Sequence, residues 1–169
     1  MDKEISSLIE ALSSENIDER HAAEDGLEAK GEEAILPLIE ILTEGEESTC
    51  WYAARVLARI GEPAIKPLLL TMIVEKDRGF RRYAAAALGS MGEVAVAPLI
   101  EGLSTEDREL RGFVAMALCR IGTPALAPLK HMLKEGDEVQ RMCASLTLWK
   151  MGEEGIGDLV EGLGEEKTS

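Results

Sequence analysis

Aromatic residues are scarce: two Trp, two Tyr and two Phe make up 4% of the 169 residues. That scarcity argues against a β-sandwich or barrel and is ordinary for a helical protein rich in Ala and Leu. Long apolar runs are missing as well. No uncharged stretch approaches the roughly 18 residues of a membrane span, so no transmembrane helix is expected. The opening Met1-Asp2-Lys3-Glu4 has no basic start followed by an apolar stretch, so no signal peptide is expected. Cysteine is limited to Cys50, Cys119 and Cys143. An odd, scattered set without CxxC spacing suits reduced thiols in a cytoplasmic setting better than a disulfide framework. Histidine is limited to His21 and His131.

Positive charge is also short, with 18 Lys and Arg against 32 Asp and Glu for a net charge of -14. An excess of this size repels phosphate backbones and anionic bilayers, which disfavours generic nucleic-acid or lipid partners. The charge is uneven. Residues 1–50 hold 15 acids and 3 bases, residues 51–100 hold 4 and 7, residues 101–150 hold 7 and 7, and residues 151–169 hold 6 and 1. Acidic ends therefore flank a neutral-to-basic middle. The remainder, 46% hydrophobic and 30% charged, is a globular composition long enough for one domain.

What is abundant is repetition. Gly31, Gly61, Gly92, Gly122 and Gly152 are spaced 30, 31, 30 and 30 apart. Four residues before each stands Leu27, Leu57, Leu88, Leu118 or Leu148; eight before, Ala23, Ala53, Ala84, Val114 or Ala144. Eleven before stands Arg20, Cys50, Arg81, Arg111 or Arg141. Six after stands Pro37, Pro67, Pro98, Pro128 and then Asp158, and the next residue is always Leu.

Each period reads as two helices. Ala53, Leu57 and Ile60 form one stripe at helical spacing, and Ala64, Ile65, Leu68, Leu69 and Met72 form another. The glycine is expected to supply an αL helix end, and the proline is expected in the first turn of the second helix, where its missing N–H costs nothing. A hairpin this short cannot bury its apolar face alone, but stacked copies share a core. The expected fold is all-α, an α-solenoid of about five two-helix repeats within one domain, 1–169. The boundaries are an N-terminal capping helix over 3–13, units over 16–43, 46–75, 77–104, 107–134 and 137–164, and an acidic tail, 165–169. The extra residue of the 31-residue period falls around residues 74–77. Ile156, Leu159, Val160 and Leu163 are expected to close the last unit.

The pattern Arg-x-x-Ala-Ala-x-x-Leu-x-x-Met-Gly-x-x-Ala-Val-x-Pro-Leu at Arg81–Leu99, nearly repeated at Arg111–Leu129, resembles the HEAT repeat, and its short form is similar to phycobilisome-lyase-type HEAT-like repeats. The resemblance spans about residues 3 to 164. It implies a ladder in which a turn Asp pairs with the Arg four residues on: Asp77 with Arg81, Asp107 with Arg111, Asp137 with Arg141. Asn16 with Arg20 is a weakened rung, and Glu46 with Cys50 breaks it. The resemblance also implies that the Arg-Ala-Ala helix of each unit lines a concave surface.

On that helix, positions that vary between units collect Trp51, Tyr52, Arg55 and Arg59, then Arg82 and Tyr83, then Gly112, Phe113, Met116 and Arg120, then Met142, Leu146 and Lys150. Four of the six aromatics fall here, with Trp149 beside the stripe, whereas Phe80 occupies a recurring apolar position and reads as core. Aromatics and arginine are the residues enriched at binding hot spots. Rings packed between neighbouring helices at the edge of the core would give the same pattern.

The first expectation is a non-enzymatic adaptor holding a protein or peptide partner of acidic-aromatic character in this groove. One alternative is a bilin- or tetrapyrrole-handling lyase-like protein; another is single-stranded nucleic-acid binding by stacking on the rings. No cofactor is expected. HEAT-like hydroxylases hold metal on His-Glu pairs, and this chain has none, so no metal is expected. Cys143, near Lys150 and Arg141, is a candidate reactive thiol. No glycine-rich phosphate loop or Ser/His/Asp arrangement is present, because the recurring glycines end helices.

Overall fold

A computed structural model describes residues 3–152 and Gly155. Its residues divide into two compact units, Met1–Met91 and Gly92–Ser169. The residues expected to close the last repeat (Ile156, Leu159, Val160 and Leu163) and the tail 165–169 lie outside the described residues.

The first unit holds α1 (Lys3–Ala11), α2 (Ile17–Lys30), α3 (Glu32–Glu44), α4 (Glu47–Ile60), α5 (Glu62–Val74) and α6 (Arg78–Ser90). Helices α2, α4 and α6 pack in series, as do α1, α3 and α5. In the second unit, 3-10 turns at Gly92–Ala95 and Thr123–Ala125 precede α7 (Val96–Gly102) and α9 (Leu126–Glu135); α8 (Arg108–Ile121) and α10 (Glu138–Lys150) complete it. Here α8 packs on α10 and α7 on α9. No strand occurs among the described residues. Each unit therefore stacks helical hairpins in the manner of an α-solenoid.

The repeated residues make this stacking possible. Ala23, Ala53 and Ala84 are buried at the contacts along α2, α4 and α6, where a small side chain lets helices approach to roughly 8–10 Å. Leu27, Leu38, Leu57, Leu68 and Leu88 are fully enclosed around them, and Phe80 is core as its register predicts. Capping helix α1 ends at Ala11 because the chain tightens into i→i+3 bonds from Leu12 to Ile9 and Ser13 to Glu10, leaving Leu12 buried. The extra residue of the long period sits where expected. Glu75, Lys76 and Asp77 join α5 to α6, whereas Gly45 and Glu46 alone join α3 to α4.

Three local expectations are corrected. The recurring glycines do have positive φ, but at Gly61 (φ 76°, ψ -134°) and Gly122 (φ 78°, ψ -135°) the ψ values lie far from αL. This is the mirror image of the extended region, open to glycine and almost nothing else. It turns the chain sharply enough for the next helix to begin at once, with Ala64 and Ala125 donating i→i+3 bonds to the carbonyls of those glycines. The prolines sit in a first turn only in the second unit, where Pro98 and Pro128 are third in α7 and α9. In the first unit, Pro37 and Pro67 lie in the second turn of α3 and α5. The carbonyl four residues before Pro37 belongs to exposed Glu33, where water can take the bond that proline cannot make.

The Asp-Arg ladder resolves into two sets of main-chain bonds. Asp77 accepts from the Phe80 N–H at 2.8 Å, Asp107 from Glu109 and Leu110 at 3.0 Å each, and Asp137 from Gln140 at 2.9 Å within a capping box. These acids are N-caps. The arginines reach carbonyls of the preceding turn six residues back: Arg20 to Ser14 (2.6 Å), Arg81 to Glu75 (2.9 Å) and Arg111 to Thr105 (2.7 Å). Arg81 also donates to Met72 nine residues back (3.1 Å) and is wholly buried. Each guanidinium thus ties the end of one repeat to the start of the next, satisfying carbonyls that a helix C-terminus leaves open.

Candidate functional site

In the first unit, α4 projects Trp51, Tyr52, Arg55 and Arg59. Trp51 and Tyr52 meet edge to face with centroids 5.0 Å apart. Arg55 lies over Trp51 at 4.8 Å, and Arg20 of α2 lies over Tyr52 at 5.2 Å. Trp51 is exposed and Tyr52 half-buried. The rings are therefore stacked with cations inside the chain. The two α4 arginines are occupied by the acidic helix beside them. Arg55 pairs with Glu24 at 2.8 Å, and Arg59 pairs with Asp25 at 2.6 Å, with Glu28, and with Glu24 at 3.6 Å. Hydrogen bonding to Asp25, with help from Glu28, holds the Arg59 pKa above its already high ordinary value. Glu24 is 1% exposed, yet its Oε1 has no hydrogen bond among the described residues. On α6, Arg82 stacks over Tyr83 at 5.1 Å and pairs with Glu47 at 3.2 Å, while the Tyr83 hydroxyl donates to the Glu47 carbonyl at 3.2 Å.

In the second unit the expected residues divide. Met142, Leu146 and Lys150 of α10 come together with Gly112 of α8 around an open cleft of about 580 Å³. Phe113, Met116 and Arg120 do not line it. Phe113 is half-buried, while Met116 and Arg120 are exposed. The apolar wall is Leu103, Ala115, Met142 and Leu146, and Arg108, Arg111 and Lys150 bring three cations to it. Among the described residues, neither Arg108 nor Lys150 has an ion pair. Gly112 leaves the cleft open, since a β-carbon built there would meet nothing within 4 Å.

Residue spacing alone did not select Arg108 or Leu103. The signal for Arg108 was nonetheless there: positions 108, 112 and 115 recur at helical spacing on one face, as do 142, 143, 146, 147 and 150.

Cys143 forms part of the wall and is buried. Burial raises its pKa; the nearby Arg111 opposes this in part and Asp137 adds to it. The candidate thiol is accordingly held protonated, the reverse of what a nucleophile needs. Among the described residues, no three His, Cys, Asp or Glu gather where a metal could sit, and no helix is long and apolar enough to cross a membrane.

With this geometry in place, residues 35–107 match the family described as HEAT repeats. That stretch, somewhat under half of the chain, is similar to HEAT repeats. No curated protein matches the chain. Among solved structures, an engineered protein is 20% identical over 98% of this chain and 87% of its own, with a TM-score of 0.37. A designed armadillo repeat protein in complex with the peptide (KR)4 is 18% identical over 95% and 88%, also at 0.37. Computationally designed armadillo repeat proteins for modular peptide recognition are 18% identical over 96% and 91%, at 0.35. In this chain, the surfaces that vary between repeats are the α4 and α6 patch in one unit and the α8 and α10 cleft in the other.

Proposed function

We propose that this chain is a binding scaffold, acting by holding a protein partner rather than by catalysis, and that the partner lays an acidic, apolar segment into the α8 and α10 cleft. The observation that carries this reading is the contrast in how the arginines are used. In the first unit, Arg55, Arg59 and Arg82 already hold Glu24, Asp25, Glu28 and Glu47. In the second, Arg108 and Lys150 flank exposed Met142 and Leu146 without such partners among the described residues. Flexible methionine and leucine supply adaptable apolar contact, and the cations select carboxylates. Trp51, Tyr52, Tyr83, Phe113, Met116 and Arg120 fall outside this cleft, and the proposal does not need them for affinity.

Fluorescence polarisation with a labelled peptide of Glu and Asp interleaved with Leu and Phe tests it. Wild type should bind saturably and more weakly as salt rises. Gly112→Leu should fill the cleft while improving helix propensity, and together with Arg108→Glu/Lys150→Glu it should lower affinity at least tenfold. Equal affinity for all variants would refute the reading. Tight, salt-sensitive binding of a deoxythymidine oligonucleotide, with none for the peptide, would replace it with the single-strand reading.

A further inference from the structure

The repeat position held by Arg20, Arg81 and Arg111 is Cys50 in the second repeat. Elsewhere, the guanidinium ties down the carbonyls of the preceding turn. At Cys50 a short thiol takes over part of that task. It donates to the Ile41 carbonyl at 3.2 Å, nine residues back like the Arg81 to Met72 bond, and to Gly45 at 3.5 Å. The thiol cannot occupy the space an arginine takes up. An open cleft of about 260 Å³ lies beside Cys50, lined by Leu42 and Phe80, by the acidic Glu47 and Asp77, and by Arg82, which pairs with Glu47. Burial raises the thiol pKa and the two carboxylates add to the rise, so the thiol stays a neutral donor in a negative field. All of these residues belong to the first unit.

We propose that this cleft is a receptor for a guanidinium, specifically an arginine side chain presented by a partner protein, which fills the place left by the missing repeat arginine. The cleft offers a planar five-donor cation two acidic residues, Glu47 and Asp77, and the apolar Leu42 and Phe80 for its stem. Asp77 uses one oxygen, Oδ1, to cap α6, so its charge remains available to a ligand. Glu47 is held by Arg82 in a highly exposed pair, and exposed pairs exchange at little cost. Lysine suits the site less well, since a point charge cannot bridge carboxylate and carbonyl in one plane. This site is separate from the α8 and α10 cleft and does not depend on it.

The test is an amide-resolved NMR titration of the full chain with the tripeptide acetyl-Gly-Arg-Gly-amide and its neutral citrulline counterpart. The arginine peptide should shift the amides of Gly45, Cys50 and Gly79 saturably, and the citrulline peptide should not. Cys50→Arg supplies the guanidinium from within and should abolish the saturable shifts. Asp77→Asn keeps the capping oxygen but removes the charge, and should weaken binding at least fivefold, which keeps the test decisive if Cys50→Arg fails to fold. Equal responses to the two peptides, or undiminished binding by a folded Cys50→Arg or Asp77→Asn, would overturn the proposal.

Discussion

Replacing Gly61 probes the inter-helix turn on which every repeat depends. At φ 76° and ψ -134°, an L-residue is strained, and confinement to so sparsely populated a region costs about 1–3 kcal/mol. Sterics add nothing, since a β-carbon would meet only the Arg59 carbonyl, at 4.0 Å. Each kcal/mol moves the melting temperature of a chain this size by about 2–4 °C, so Gly61→Ala should lower it by roughly 2–12 °C. Gly61→Asn separates this backbone geometry from a left-handed cap. At an αL position asparagine is tolerated and would recover most of the loss. At the observed ψ it should recover none, and Asn and Ala should be equally destabilising. Gly122→Asn and Gly122→Ala should behave alike in the second unit, where φ and ψ are nearly the same. Far-UV circular dichroism during heating and in urea measures both pairs. An asparagine variant close to wild type beside a destabilised alanine variant would refute the mirror-extended geometry.

Two further outcomes are expected. Glu46 occupies the N-cap position of α4 but makes no side-chain cap bond, unlike Asp77, Asp107 and Asp137. Glu46→Asp should therefore stabilise the first unit by about 1 kcal/mol in urea titrations, and no gain would mean that the α4 start is satisfied some other way. Burial raises the pKa of Cys50, Cys119 and Cys143 above 9.0. The folded state thus binds more protons than the unfolded one above about pH 9, and stability should be level below that pH and fall as pH rises through the folded values. Replacing all three by Ala should flatten the alkaline limb of stability against pH, and an unchanged limb would rule the thiols out as its cause.

The repeat made most of the architecture legible. A period of 30 residues with Ala at one offset and Leu at two others fixes which helix faces meet, because only small residues allow close stacking and only large ones fill the space around it. Glycine spacing showed that a positive φ was needed but could not show ψ, which depends on how abruptly the second helix must start. The arginine column was equally visible, but its targets are main-chain carbonyls, which have no letter in the sequence. The missing Arg at Cys50 could be read directly; that it leaves a cleft required coordinates. The partners of Arg55, Arg59 and Arg82 were within reach of the sequence. Glu24 to Arg55, Asp25 to Arg59 and Glu47 to Arg82 are separated by 31, 34 and 35 residues, about one repeat each. Reading each unit by itself hides such pairs; reading offsets of one period exposes them.

Those cross-repeat pairs also explain why the charge along the chain is so uneven. Residues 1–50 carry 15 acids against 3 bases, and part of that excess is spent on the next repeat, where Glu24, Asp25 and Glu28 neutralise Arg55 and Arg59. An acidic ligand approaching the α4 patch would have to displace carboxylates tethered at high effective concentration on α2, one of them 1% exposed. Exposed ion pairs contribute only about 0–1 kcal/mol each, so such exchange is possible pair by pair, but three carboxylates on one helix act together. At the α8 and α10 cleft, Arg108 and Lys150 face no comparable acidic helix among the described residues. Net charge does not distinguish the two units, since both are acidic; local pairing does, and on the proposed reading it is what favours the second unit for an anionic segment.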